Sequence, residues 1–161
     1  MMRQTLLAAA LALAGLSAQA ATFNFSGQLE TGPLTGQSFS GQFSYDESLL
    51  GGVAYELLDL SSWSLSALGN NLSGSGAPVQ AAFWDGQFVG LSGSYTVGSY
   101  TLNLADGTVD FAGAYLAYKT PAGEGFGSYS ISAVPEPESY ALMLAGLGCI
   151  GLLARRRQHP G

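Results

Sequence analysis

Between Thr22 and Ser132 apolar and polar residues alternate with a period of two, the spacing at which a β-strand sends successive side chains to opposite faces. Phe23 and Phe25 alternate with Thr22, Asn24 and Ser26, and Phe39, Gly41, Phe43 and Tyr45 with Ser38, Ser40, Gln42 and Ser44. Trp63, Leu65 and Ala67 alternate with serines, and Tyr100, Leu102 and Leu104 repeat the pattern. Further strands are predicted at Val79 to Trp84, Gln87 to Tyr95, Val109 to Tyr118 and Phe126 to Ile131. Between apolar runs stand Gly69-Asn70-Asn71, Asp85-Gly86 and Asp106-Gly107, residue types that accept the positive φ of tight hairpin turns. Leu49 to Leu60 is ambiguous, because Tyr55 to Leu60 fits either a helical turn or the start of the Trp63 strand. About eight short strands, each with one apolar face, predict an all-β fold, an antiparallel β-sandwich or flattened barrel. Phe25-Ser26-Gly27-Gln28 recurs as Phe39-Ser40-Gly41-Gln42. One recurrence is too little for a solenoid and points to neighbouring strands in equivalent registers.

Both ends break this pattern. Arg3 precedes an apolar Leu/Ala run from Thr5 to Leu16, followed by Ser17-Ala18-Gln19-Ala20. A basic start, a short apolar helix and small residues at Ala18 and Ala20 form a secretory signal for Sec-type export, cleaved by signal peptidase after Ala20. Residues 1–20 are therefore a signal helix and residues 21–133 an extracytoplasmic β-rich domain. At Val134-Pro135-Glu136-Pro137 the composition changes again, through an apolar run at 140–154 to Arg155, Arg156 and Arg157. The prolines cannot continue a central strand, so an extended, protease-accessible linker leaves the domain here. As a helix the 15-residue run is about 22 Å long against about 30 Å of hydrocarbon, marginal for a permanent anchor. Snorkelling of Arg155 and local bilayer thinning allow transient retention. The arginine cluster stays cytoplasmic, which leaves the β domain on the outer side of the inner membrane.

A Val-Pro-Glu-Pro box, a Leu/Gly-rich apolar helix and a terminal arginine cluster, in that order from Val134 to about Gln158, resemble a PEP-CTERM sorting segment. The resemblance covers residues 134–158 only. It implies recognition of Val134, Pro135, Glu136 and Pro137 by an exosortase, a membrane protease-transpeptidase of Gram-negative bacteria that often make extracellular polysaccharide. It further implies removal of the tail near Pro135 to Pro137 and release or attachment of the product outside the cell. Cys149 and His159, the sole cysteine and histidine, are discarded with it.

The formal net charge of −6 understates the acidity of the β domain. Between residues 21 and 137 Lys119 is the single cation against ten carboxylates, a formal −9. Nucleic-acid binding requires clustered Lys and Arg, so that class is rejected. No disulfide can form within the domain; 17 of the 18 aromatics lie between Phe23 and Tyr129 and supply the core instead.

Without histidine or cysteine the domain cannot build Ser-His-Asp or Cys-His sites, and zinc lacks its usual ligands. A Ser-Lys dyad would have to use Lys119, better read as a solvated strand-end lysine. Paired carboxylates remain, and Asp46/Glu47 and Asp106/Asp110 are the pairs a glycan hydrolase could use. Asp106-Gly107-Thr108-Val109-Asp110 is also the best local calcium candidate, through Asp106 and Asp110. Trp84 beside Asp85-Gly86, with Trp63 and several tyrosines, either stacks sugars or fills the sandwich. Ice binding calls for a regular threonine array, and the threonines are scattered. The leading expectation is a noncatalytic, cofactor-free cell-surface or extracellular β domain associated with matrix or exopolysaccharide. The alternatives are a carboxylate-based glycan hydrolase and a calcium-dependent binding module.

Overall fold

The computed structural model describes residues 21–135 together with 143, 144, 146–148 and 150. The predicted signal helix with Ala18 and Ala20, the motif residues Glu136 and Pro137, and the arginines at 155–157 lie outside the described residues. Ten strands run in chain order as β1 (Ala21–Gln28), β2 (Ser38–Tyr45), β3 (Glu56–Asp59), β4 (Ser62–Ala67), β5 (Asn70–Gly74), β6 (Val79–Trp84), β7 (Gln87–Val97), β8 (Tyr100–Ala105), β9 (Tyr115–Thr120) and β10 (Gly123–Ala133). All pairings are antiparallel, in the single sheet β3-β6-β7-β8-β9-β10-β1-β2-β4-β5. The sheet curls into a half-barrel, as the all-β reading requires.

The curl brings two halves face to face. β10 joins them: Gly123 to Ser128 pair with β9, and Tyr129 to Ala133 pair with β1. On the other side the chain crosses between halves at Leu60-Ser61, where the Leu60 carbonyl accepts the Gly76 N–H at 2.7 Å and the Ser44 carbonyl accepts the Ser61 N–H at 2.8 Å. Inward-facing rings meet across the gap: Tyr45 on Phe83 at 5.2 Å, Phe43 on Phe88 at 5.6 Å and Trp63 on Tyr95 at 5.7 Å. One continuous core results, with Phe43, Phe83, Leu91 and Leu116 at its centre. Trp63 belongs to it and is therefore a packing residue, while Trp84 is half-buried at the end of β6 and lies outside this core.

The recurrent tetrapeptide has a structural meaning. β1 and β2 pair so that Ser26 faces Ser40, Phe25 faces Gly41 and Gly27 faces Phe39. Each phenylalanine ring lies over the other strand's glycine, where even a methyl group would overlap the ring and a neighbouring carbonyl. The two copies are thus self-complementary about the Ser26–Ser40 pair, an aromatic shielding a glycine in both directions.

Three expectations change. The turn expected at Gly69-Asn70-Asn71 is formed by Leu68 (φ 54°) and Gly69 (φ 73°), and Asn70 opens β5 while its side-chain amide donates to the Leu68 carbonyl at 3.0 Å. Val109 to Ala114 is not strand, because Asp110 caps a 3-10 turn at Phe111–Gly113, and β9 starts only at Tyr115. The connection after Asp106-Gly107 is accordingly a long loop rather than a tight hairpin. In the ambiguous stretch, Glu56–Asp59 is a separate edge strand, β3, running into β4 through Leu60. Asp85 (φ 47°) and Gly86 (φ 75°) form the expected tight turn.

Candidate functional site

The sorting segment begins where the fold stops. The Val134 N–H still donates to the Thr22 carbonyl at 2.9 Å, one rung beyond the end of β10. Pro135 has no N–H with which to continue, so the chain is released from the sheet at that residue. Met143, Leu144, Gly146, Leu147, Gly148 and Ile150, inside the predicted apolar helix at 140–154, are helical and exposed. Among the described residues no helix is long and apolar enough to cross a membrane.

The candidate acids gather at the end of the sheet where β1 begins and β10 finishes. The loop after β2, the β6–β7 turn and the loop after β8 meet there through Asp85 N–H to the Val53 carbonyl at 3.1 Å and the Tyr55 hydroxyl to Asp106 at 3.0 Å. Asp46, Asp106 and Asp110 are each occupied by local work. Asp46 accepts from the Ser48 hydroxyl at 2.6 Å and the Ser48 N–H at 2.9 Å, which holds its carboxyl below its usual value. Glu47 points into solvent on the 3-10 turn that Asp46 caps. Asp110 accepts the Ala112 N–H at 3.0 Å, and the Glu56 carboxylate receives the N–H groups of Gly51 and Gly52 at 2.9 Å each. Burial, with Asp106 adding to it, pushes the Tyr55 phenol up. Asp46 and Glu47 therefore act as a cap and a solvated neighbour, while Asp106 and Asp110 serve different partners. Among the described residues no three His, Cys, Asp or Glu side chains are grouped to hold a metal ion.

The second surface was missed in the sequence. On the outer face of β8, β9 and β10, a groove of about 300 Å³ is lined by Asn103, Tyr115, Ala117, Lys119, Glu124 and Phe126, among others. Tyr115 is 40% and Phe126 46% exposed, and their rings meet edge to face at 5.8 Å. Lys119 faces Glu124 across the ladder, with Thr101 on the other side of Lys119; in the next row Ala117 lies between Asn103 and Phe126. The groove is held rigidly. Phe126 N–H donates to the Thr31 hydroxyl at 3.0 Å, and its carbonyl accepts the N–H groups of Glu30 and Thr31 at 2.8 and 3.2 Å. Glu30 in turn accepts the hydroxyl and N–H of Ser128, which holds its carboxyl below the ordinary range. The signal was available: charges at Lys119 and Glu124 mark the outward parity, and two-residue steps from them place Tyr115 and Phe126 on the same outer face.

The outer face of the other half differs. Ser26, Ser40, Ser66 and Asn71 form one row, and Asn24, Gln42, Ser64 and Ser73 the next, all exposed. Serine hydroxyls are already satisfied by water, so each exchanged hydrogen bond gains only about 0.5–1.5 kcal/mol. Two half-exposed aromatic rings together offer roughly 170 Å² of apolar surface, about 4 kcal/mol of gross burial before the costs of association.

The family model described as a PEP-CTERM protein-sorting motif matches residues 133–158. That match supports exosortase-type sorting of an exported protein and covers the C-terminal segment alone. No curated protein and no solved structure matches the chain.

Proposed function

We propose that this chain is a noncatalytic cell-surface or extracellular β-domain protein, delivered by exosortase sorting and associated with matrix or exopolysaccharide. The observation that carries the reading is the sorting motif matched at residues 133–158, starting on the last residue of β10. A protease acting near Pro135 to Pro137 cuts beyond the Val134 N–H, which makes the last bond to β1, so cutting there costs the fold no rung. In this reading Sec-type export and signal peptidase act first, after Ala20. The segment at 140–154 then holds the chain transiently in the inner membrane, with Arg155, Arg156 and Arg157 on the cytoplasmic side and the β domain in the periplasm. Asp46, Asp106 and Asp110 each accept a hydrogen bond from a different partner in the caps and loops, which supports reading them as residues that hold those loops.

The test changes Pro135, Glu136 and Pro137 together to alanine, which leaves the apolar segment and arginines intact. In a host with its exosortase, the unaltered protein leaves the membrane fraction in a shortened form, while the triple variant accumulates there at its tail-containing mass. Without the exosortase both stay long. Equal masses of the two proteins in both hosts would refute sorting.

A further inference from the structure

We infer that the groove floored by Tyr115 and Phe126 is a polysaccharide-binding site; the inference deepens the matrix association proposed above and rests on it. Four observations converge. The two rings are half-exposed on neighbouring strands, and they stand edge to face, making a floor and a wall rather than a flat patch. Such a corner receives the apolar C–H face of a sugar ring, while hydroxyls at the ring's edge meet hydrogen-bonding groups. Those groups are present in the same groove: the Asn103 amide, the Lys119 ammonium and the Glu124 carboxylate supply donors and acceptors side by side. Its volume of about 300 Å³ lies at the small end of ligand clefts.

The surroundings select the class of partner. A stable protein interface buries about 800 Å² on each side, several times what this ring pair offers, and its centre is depleted of charge. Here Lys119 and Glu124 border the rings directly. Lys119 is also the single cation between residues 21 and 137, so this groove is where an acidic sugar meets a positive charge on an otherwise negative domain. The hydrogen bonds that the Phe126 N–H and carbonyl make with Glu30 and Thr31 fix the backbone that carries one ring before binding, which lowers the ordering cost.

The full chain is run in native affinity gels containing hydroxyethyl cellulose, a neutral probe, or alginate, an acidic one. Retardation is expected in at least one, and which one tells whether Lys119 is meeting a carboxylate. Tyr115→Ala with Phe126→Ala weakens it at least about tenfold, with an unchanged circular dichroism spectrum. Asn103→Ala, which leaves both rings in place, weakens it about threefold. Ser26→Ala with Ser40→Ala, on the opposite outer face, leaves it unchanged. No retardation in either gel, or equal retardation of the ring variant, would overturn the site. Fractionation of the host separates the two readings. If the unaltered chain and the ring variant are both found in the exopolysaccharide fraction, matrix association stands and this site falls. If neither is found there while the unaltered chain is still retarded in gels, the site stands and matrix association falls.

Discussion

Across the outside of β10, β1, β2, β4 and β5 one row of the ladder reads Ser130, Ser26, Ser40, Ser66, Asn71; across β7, β8, β9 and β10 a comparable row reads Ser94, Asn103, Ala117, Phe126. Both rows back onto the same core and obey the same alternation. The first carries neither charge nor ring, whereas the second ends on a half-exposed phenylalanine one row from Lys119 and Glu124. The fold demands apolar residues inside both halves and leaves the outside free, so the outer positions can differ between the halves without cost to the core. The comparison teaches that the inner faces fix the architecture, and that the difference in what the two halves can recognise lies entirely in their outer positions.

The sharpest way to break this division is to alter an inner position in the polar half. Gly41→Val forces a branched side chain into the place of the Phe25 ring, with a loss of about 3 kcal/mol or more in folding stability. Ser94→Val, on the outer face of the other half, stays within about 0.5 kcal/mol. Urea unfolding of both variants measures the contrast; a mild Gly41→Val would mean that the ring-over-glycine pairing does not constrain the core.

A smaller effect tests the seam. Burial pushes the Tyr129 phenol up to about 12, and burial with the nearby Glu47 charge pushes the Tyr45 phenol up to about 12. Both stand above the value near 10 of the unfolded chain. Their contribution is therefore complete below pH about 10 and is lost as pH rises through about 12, on the order of 2 kcal/mol for Tyr129. The urea midpoint stays level up to pH about 10 and then falls, and Tyr129→Phe makes the fall shallower. A midpoint that stays level through pH about 12 would contradict this.

The smallest effect belongs to the polar face itself. Ser26→Ala with Ser40→Ala removes two hydroxyls that water already satisfies, and the change in stability stays within about 0.5 kcal/mol per site. A larger loss would show that the serine rows brace the sheet rather than merely cover it.

Most strands were legible because Phe, Tyr, Trp and Leu alternate with Ser and Asn, and the tetrapeptide repeat correctly placed β1 beside β2. β5 was not legible: Asn70–Gly74 has one apolar residue, Leu72, and its strand character comes from pairing with β4 rather than from its own pattern. Val109 suggested a strand at a place where Asp110 was about to cap a turn; there a side chain competes for backbone N–H groups that a strand would need. Of the acids singled out in the sequence, the structure employs Asp46 and Asp110 in caps and Asp106 in a loop contact. The exposed rings escaped notice because aromatics were assigned to the core by type, although the parity set by Lys119 and Glu124 placed Tyr115 and Phe126 outside.

β1 and β10 are neighbours, with Phe23 opposite Ala133 and Thr22 still bonded to Val134. A force applied between the two ends of the domain therefore acts across a single antiparallel pair, along its hydrogen bonds and perpendicular to the strands. The bonds open one at a time, and the domain unzips at low load. A force between the sorted end and a polymer held against β9 and β10 runs more nearly along those strands, where several rungs must fail together. The same fold is mechanically weak between residues 21 and 135 and stronger between Val134 and the groove on β9 and β10.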